Sequence, residues 1–419
     1  MKKVFVLALF FLGNAAVAVA AEPLTLAEAL AVAGKNHPQI EEAAATRRAA
    51  AARVEQAGAN YWPRVDLAAD WSKGDAYLTA LGAIRETEFS STAVVVRQNI
   101  YDFGRTAGAR AAAKGAREAA EEGVGLSLQD VAFRLKAAWY LALAAEEQVG
   151  ASRQTVAARE KLARQAAEFF RHGIRSRVEV ARTEAALFAG KSLLIRAENN
   201  RELARLELAH AMGVESLGAR SLAASETMTA NVPADVAALR EEALAARKEL
   251  KRLAALKESA AGALQSAWSG HLPTLSGVAS YGDAGQSALP EGEVWSVGVT
   301  LSLPIFSGFA TRGQVREASA NLEGLSAQQR NLRLQIVKEV ESAWLGVREA
   351  EARLLASAKE AAAAQESERL ATERYREGVG TTIDAVDAQA QALNAETARI
   401  QAEYDRAIAL ARLDRALGR

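Results

Sequence analysis

The sequence predicts a mainly α-helical chain, internally duplicated, carrying a small β part of a kind that suits a membrane. Three observations carry this. A shift of about 205 positions lays Ile100-Tyr101 on Ile305-Phe306, Trp139 on Trp344, Gly173 on Gly378 and Gly213 on Gly418. Two pairs of short segments alternate apolar and polar residues with period two, which helices do not do. Between them lie long stretches rich in Ala, Glu, Arg, Gln and Leu, with few helix breakers.

Taken in order, Met1-Lys2-Lys3, the apolar run Val4 to Leu12 and the small residues Ala16 to Ala20 follow the layout of a secretory signal peptide, placed at 1–21. The first repeat is then 22–214, a linker follows at 215–232, and the second repeat occupies 233–419. After the leader no stretch reaches the roughly 20 uninterrupted apolar residues of a spanning helix, so any membrane crossing falls to strands.

The first strand pair is placed at 62–72 and 91–102. Val65, Leu67, Ala69 and Trp71 alternate with Arg64, Asp66, Ala68 and Asp70, and Val94, Val96 and Ile100 continue the pattern. The second pair is placed at 272–282 and 294–306, where Trp295, Val297, Val299, Leu301, Leu303 and Ile305 alternate with Ser296, Gly298, Thr300 and Ser302. Trp62-Pro63 and Leu272-Pro273 match at 210 rather than 205, so the first copy carries about five extra residues in a loop. Segments Ser72 to Ser90 and Gly282 to Glu293 read as exposed loops. Each strand has the length of a tilted transmembrane strand, although the local pattern fits a half-buried soluble strand equally well. Four strands cannot close a barrel and lipid tolerates no open edge, so the membrane reading requires several copies, and three would give twelve strands.

Arg105 to about Arg171 and Arg312 to about Arg376 read as helices on the order of 100 Å long. Both end in matched turns, Arg171-His172-Gly173-Ile174-Arg175-Ser176-Arg177-Val178-Glu179 and Arg376-Glu377-Gly378-Val379-Gly380-Thr381-Thr382-Ile383-Asp384. Gly173 and Gly378 suit left-handed C-caps, while Ser176 with Glu179 and Thr381 with Asp384 have capping-box spacing. The chain therefore forms two helical hairpins whose tips lie far from the strands.

Several functions are disfavoured. Lys plus Arg and Asp plus Glu balance at 51 each, which argues against a nucleic-acid partner. No cysteine is present, excluding disulfides and a lipoprotein-type anchor. Gly190-Lys191-Ser192 ends like a phosphate loop, but Ala185 stands where its first glycine belongs. His37, His172, His210 and His271 are widely spaced, giving no zinc pattern, and no catalytic constellation or cofactor motif stands out. The rival to a membrane protein is an exported structural coiled coil with a small β region.

The leader, the duplication, the two strand pairs and the Arg-x-Gly-x-x-Ser/Thr-x-x-acid tips, as an ordered set, resemble the TolC-type outer membrane factors. That resemblance implies a trimeric channel-tunnel: a twelve-stranded outer membrane barrel continued by a helical tunnel through the periplasm. It implies a passive exit duct for efflux or type I secretion, partnered by outer membrane lipid, a periplasmic adaptor and an inner-membrane transporter. In such proteins aspartates narrow the periplasmic entrance, held by a tyrosine and an arginine. Here Asp384 and Asp387 match the aspartates and Tyr375 the tyrosine, whereas Gly380 stands at the arginine position, leaving Arg175, its first-copy equivalent, as the substitute gate contact. The capping role alone would account for Asp384, and a solvated helix face for Asp387. Arg171, Gly173, Ser176, Arg376, Gly378 and Thr381 are the adaptor-docking candidates, although turn chemistry explains the glycines as well. With three methionines, a methionine-lined path for soft metals is disfavoured.

Overall fold

The computed structural model describes residues 23–78, 82–223, 235–286 and 292–419. The expected leader and the expected linker beyond residue 223 lie outside the described residues.

Each copy opens with two short helices, α1 (Leu26–Asn36) and α2 (Pro38–Gly58) in the first, α5 (Val236–Ala246) and α6 (Lys248–Trp268) in the second. Thr25 and Glu28 form a full capping box at α1. Pro38 sits at the first turn of α2 and drives His37 out of helical geometry, which breaks the two helices apart. At the matching break Arg247 has similar extended backbone without a following proline. Its side chain holds the junction instead, donating to Ala416 O at 3.1 Å and pairing with Glu339 at 2.7 Å.

The strands β1 (Arg64–Leu78), β2 (Ala83–Tyr101), β3 (Thr274–Gln286) and β4 (Gly292–Ser302) form one antiparallel sheet in that order. Val65 pairs with Val96, Leu67 with Val94, Val94 with Tyr281 and Tyr281 with Trp295, so one face is apolar across all four strands. Its side chains are exposed, Val297 at 75% and Leu67 at 73%, so nothing in a single chain covers this face. The opposite face carries Arg64, Asp66 and Arg97, in which one carboxylate serves two guanidiniums at 2.9 and 3.0 Å.

Two expected loops are largely strand. β1 and β2 run on through most of Ser72 to Ser90, and β3 and β4 take up most of Gly282 to Glu293. Polar cross-strand pairs extend the ladder beyond the apolar band: Trp71 Nε1 donates to Glu88 at 3.0 Å, Lys73 pairs with Glu86 at 3.2 Å, and Thr87 Oγ1 donates to Gly74 O at 3.1 Å. At the other end β4 stops at Ser302 rather than 306, because Pro304 can donate nothing to a ladder.

The long helices α3 (Arg105–Arg171) and α7 (Ala310–Arg376) have 67 residues each, and α4 (Arg177–Met212) and α8 (Thr382–Leu417) return 36 residues. Beside the sheet the helices pack in the order α2, α3, α6, α7, and toward the hairpin tips in the order α4, α3, α8, α7. The α3–α6 approach is as close as backbones allow. A Cβ on Gly262 would stand 2.4 Å from Ala112 N, and one on Gly108 would stand 2.6 Å from Ser266 N. Two apolar cores mark the middle of the body. One gathers Val131, Leu135 and Trp139 of α3 with Leu208 and Met212 of α4, and the other gathers Ile336, Val340 and Val347 of α7 with Leu410 and Leu417 of α8. No described helix is long and apolar enough to cross a membrane.

Candidate entrance site at the hairpin tips

The two hairpin turns lie against each other within one chain. Gly173 and Gly378 take positive φ, 71° and 80°, and close their helices in the left-handed conformation. Beyond them the copies differ. Thr381 and Asp384 form a reciprocal capping box, with Asp384 N donating to Thr381 Oγ1 at 3.2 Å and Thr381 N to Asp384 Oδ2 at 3.4 Å. Ser176 occupies the matching N-cap but makes no side-chain cap bond, so the expected box with Glu179 does not form.

The Glu179 carboxylate is engaged across the interface instead. It accepts from Thr382 Oγ1 at 2.6 Å and Tyr375 OH at 3.4 Å, and lies 3.7 Å from the Arg175 guanidinium. That guanidinium also donates to the carbonyls of Gly378 at 2.9 Å and Gly380 at 3.0 Å, and stands 5.8 Å from the centre of the Tyr375 ring. Tyr375 is completely buried, packed on Phe169 and clustered with Leu162 and Ala385. Burial pushes its phenol pKa up, with the nearby Glu179 carboxylate acting in the same direction. Tyr375 therefore remains a neutral hydrogen-bond donor at neutral pH.

Gly380 explains why an arginine is missing from the second turn. Its N–H bonds to Arg374 O at 2.8 Å, and a Cβ there would fall 2.8 Å from Tyr375 N and 2.9 Å from Arg374 C. The turn is too tight for a side chain, and the cation comes from Arg175 on the other hairpin.

Asp384 and Asp387 are exposed one helical turn apart on α8 and share with Glu366, Arg374 and Gln391 a cavity of about 700 Å³ between α7 and α8. Arg171 pairs with Glu168 within its own helix, Arg376 with Glu377, and Ile174, Val178, Val379 and Ile383 are exposed around them. The structure thus gathers all ten sequence-derived residues at one end of the molecule. Tyr375 and Arg175 lie inside the tip, the two aspartates on one flank, and Arg171, Gly173, Ser176, Arg376, Gly378 and Thr381 on the surface. Sequence reasoning missed Thr382 and assigned Glu179 to a cap. The only signal for the cross-hairpin role was an acid at a turn already supplied with an apparent local function.

Comparison with known proteins gives a consistent picture. The family profile described as outer membrane efflux protein matches residues 29–214 and again 239–419. The chain is 23% identical over 408 residues to the outer membrane protein TolC of Escherichia coli (strain K12), covering 91% of this chain and 80% of that one. It is 26% identical over 386 residues to the protein CyaE of Bordetella pertussis, covering 89% and 80%. In fold it is similar to the CmeC outer membrane channel of Campylobacter jejuni, with a TM-score of 0.80 at 18% identity, covering 94% of this chain and 85% of that one.

Proposed function

Because this chain belongs to the outer membrane efflux protein family and is an outer membrane exit duct reaching into the periplasm, we propose that three copies close head to tail into one channel whose entrance is formed by the hairpin tips. The observation that carries this is the pattern of open edges. In the sheet the edges are β1 and β4; in the helical layer beside it they are α2 and α7; toward the tips they are α4 and α7. Every layer ends in a first-copy element on one side and a second-copy element on the other, which is the condition for a closed heterologous ring.

The exposed side chains favour the same closure. Phe188, Ile195 and Leu206 fall on one stripe of α4, and Leu334, Leu345 and Leu370 on one stripe of α7, all exposed in a single chain. Three sheets of four strands give twelve, and the apolar sheet face then meets lipid. An exported coiled coil would leave that face in water, which is unfavourable on the order of 25 cal/mol per Å² of apolar surface.

At the entrance, three copies of Asp384 and Asp387 supply six carboxylates that attract cations and penalise anions. Arg175, Glu179 and Tyr375 hold the two tips of each chain together as the latch of the closed state. The exposed tip residues, Arg171, Gly173, Ser176, Arg376, Gly378 and Thr381, receive a periplasmic adaptor that couples the duct to an inner-membrane transporter. The repeat bounds 22–214 and 233–419 describe the two units of this machine.

The test is the mass and conductance of the species extracted from outer membranes in mild detergent. A trimer that forms cation-preferring channels in planar bilayers is expected, with Asp384→Ala plus Asp387→Ala reducing that preference. A monomer that does not conduct overturns the duct, and a conducting trimer with unchanged selectivity removes the aspartates from the entrance.

A further inference from the structure

Duplication supplies an internal reference for every side chain, and at one junction the second copy carries charges that the fold does not require. Where α5 gives way to α6, helices α3, α7 and α8 flank a half-open cavity of about 680 Å³ lined by Phe133, Arg247, Lys338, Glu339, Arg412 and Arg415 among others. Arg247 is 6% exposed and is answered by Glu249 at 2.9 Å and Glu339 at 2.7 Å. Arg415 pairs with Asp130 at 2.5 Å and lies 5.3 Å from the centre of the Phe133 ring. Lys338 and Arg412 have neither an ion pair nor a hydrogen bond among the described residues. Once the ion pairs are formed, these two are the cations of the wall left without a partner, and the four cations exceed their three carboxylates, Glu249, Glu339 and Asp130, by one charge.

The first copy shows that the architecture does not need them. At the shift of 205, Lys338 corresponds to Phe133, Arg412 to Glu207 and Arg415 to His210. The buried positions nevertheless match pair by pair: Val131 with Ile336, Leu135 with Val340, Ala138 with Ala343. The same helices therefore meet around the same core with an aromatic ring, an acid and a histidine in place of three cations. In a chain of zero net charge, two unpaired like charges facing one cavity cost self-repulsion and return no packing.

We propose that this cavity binds a small oxyanion, its carboxylate or phosphate oxygens held by Lys338 and Arg412. Arg412 offers a planar fork that fits such oxygens two at a time, and Lys338 a point charge free to follow them. Arg415, held by Asp130 and Phe133, and buried Arg247, held by Glu249 and Glu339, are occupied by their own partners and frame the site without moving. The amide of Gln335 and the hydroxyl of Ser342, also in the wall, complete the hydrogen bonding. The volume is that of a small-molecule site rather than of a water pocket. This site stands independently of conduction.

The experiment is calorimetric titration of the purified full-length protein with inorganic pyrophosphate and, separately, with citrate, at low ionic strength. One saturable site per chain is expected for at least one probe, and the tighter of the two identifies phosphate or carboxylate as the preferred group. Lys338→Gln with Arg412→Gln is expected to weaken binding by at least about tenfold. Arg330→Gln with Arg333→Gln, which removes the same charge from α7 outside the cavity, should leave it within about twofold. Neither pair disturbs folding, since the four side chains are exposed, and circular dichroism checks this. No saturable binding, or equal losses in the two double variants, would mean a diffuse surface charge and overturn the site.

Discussion

The two hairpin tips share a register and a backbone, yet they divide the chemistry between them unequally. The second tip spends its acid locally, with Asp384 closing a capping box on Thr381. The first leaves Ser176 without a side-chain cap bond and sends Glu179 across to Thr382 and Tyr375. The cation is divided the same way: Arg175 is present in the first turn, and Gly380 stands at its equivalent, too crowded for a Cβ. A duplicated scaffold thus gains a cross-hairpin contact by specialisation, one tip keeping its turn regular and the other sending Arg175 and Glu179 to its neighbour.

The largest effects are expected where that division is reversed. Gly380→Arg forces a side chain against Tyr375 N and Arg374 C and should cost about 1–3 kcal/mol of local stability. Arg175→Ala leaves the carbonyls of Gly378 and Gly380 without their donor and should cost a similar amount. Either change shifts the closed-to-open equilibrium by about 5–150-fold, read as single-channel open probability and as protease cutting at the turns. If both variants behave as wild type, the two tips are not coupled and the latch assignment fails.

The parts of this arrangement that could be read from the sequence were those fixed by local rules. Period-two alternation locates strands around Val65 and Val297, glycine locates the turns at 173 and 378, and the absence of breakers locates α3 and α7. Strand length was not legible, because the extension of β1 and β2 rests on pairs such as Lys73 with Glu86 that only the ladder brings together. Nor was the destination of Glu179. Its spacing from Ser176 is that of a cap, and the competing partners, Thr382 and Tyr375, lie about 200 residues away, a contact that no local pattern encodes.

A smaller contrast lies in the caps. Thr381→Ala should remove a cap worth about 1 kcal/mol, since its hydroxyl accepts from Asp384 N, whereas Ser176→Ala removes no bond and should stay within about 0.5 kcal/mol. Thermal unfolding of the purified protein measures both. Equal losses would mean that Ser176 caps its helix in solution after all, and that the asymmetry between the tips is confined to Glu179 and Arg175.

The subtlest expectation concerns the paired junctions at the other end of the hairpins, where His37 in the first copy stands opposite Arg247 in the second. His37 Nδ1 accepts from Gln39 N at 3.2 Å and so caps α2, a role that only the unprotonated nitrogen can fill. Its pKa lies below the ordinary imidazole value, chiefly through burial and then through Arg134 of α3 and His210 of α4. The unfolded chain therefore binds the proton more readily than the folded one, so the contribution present above about pH 6.5 is lost as pH falls from there through the lower folded value. The Arg247 junction holds no imidazole and should be less sensitive to acid over this range. His37→Asn retains a capping acceptor without the titration. Its unfolding midpoint should therefore fall less than that of the wild type between about pH 7.5 and 5.5. Parallel declines would place the acid sensitivity elsewhere and leave the two junctions equivalent in spite of their different side chains.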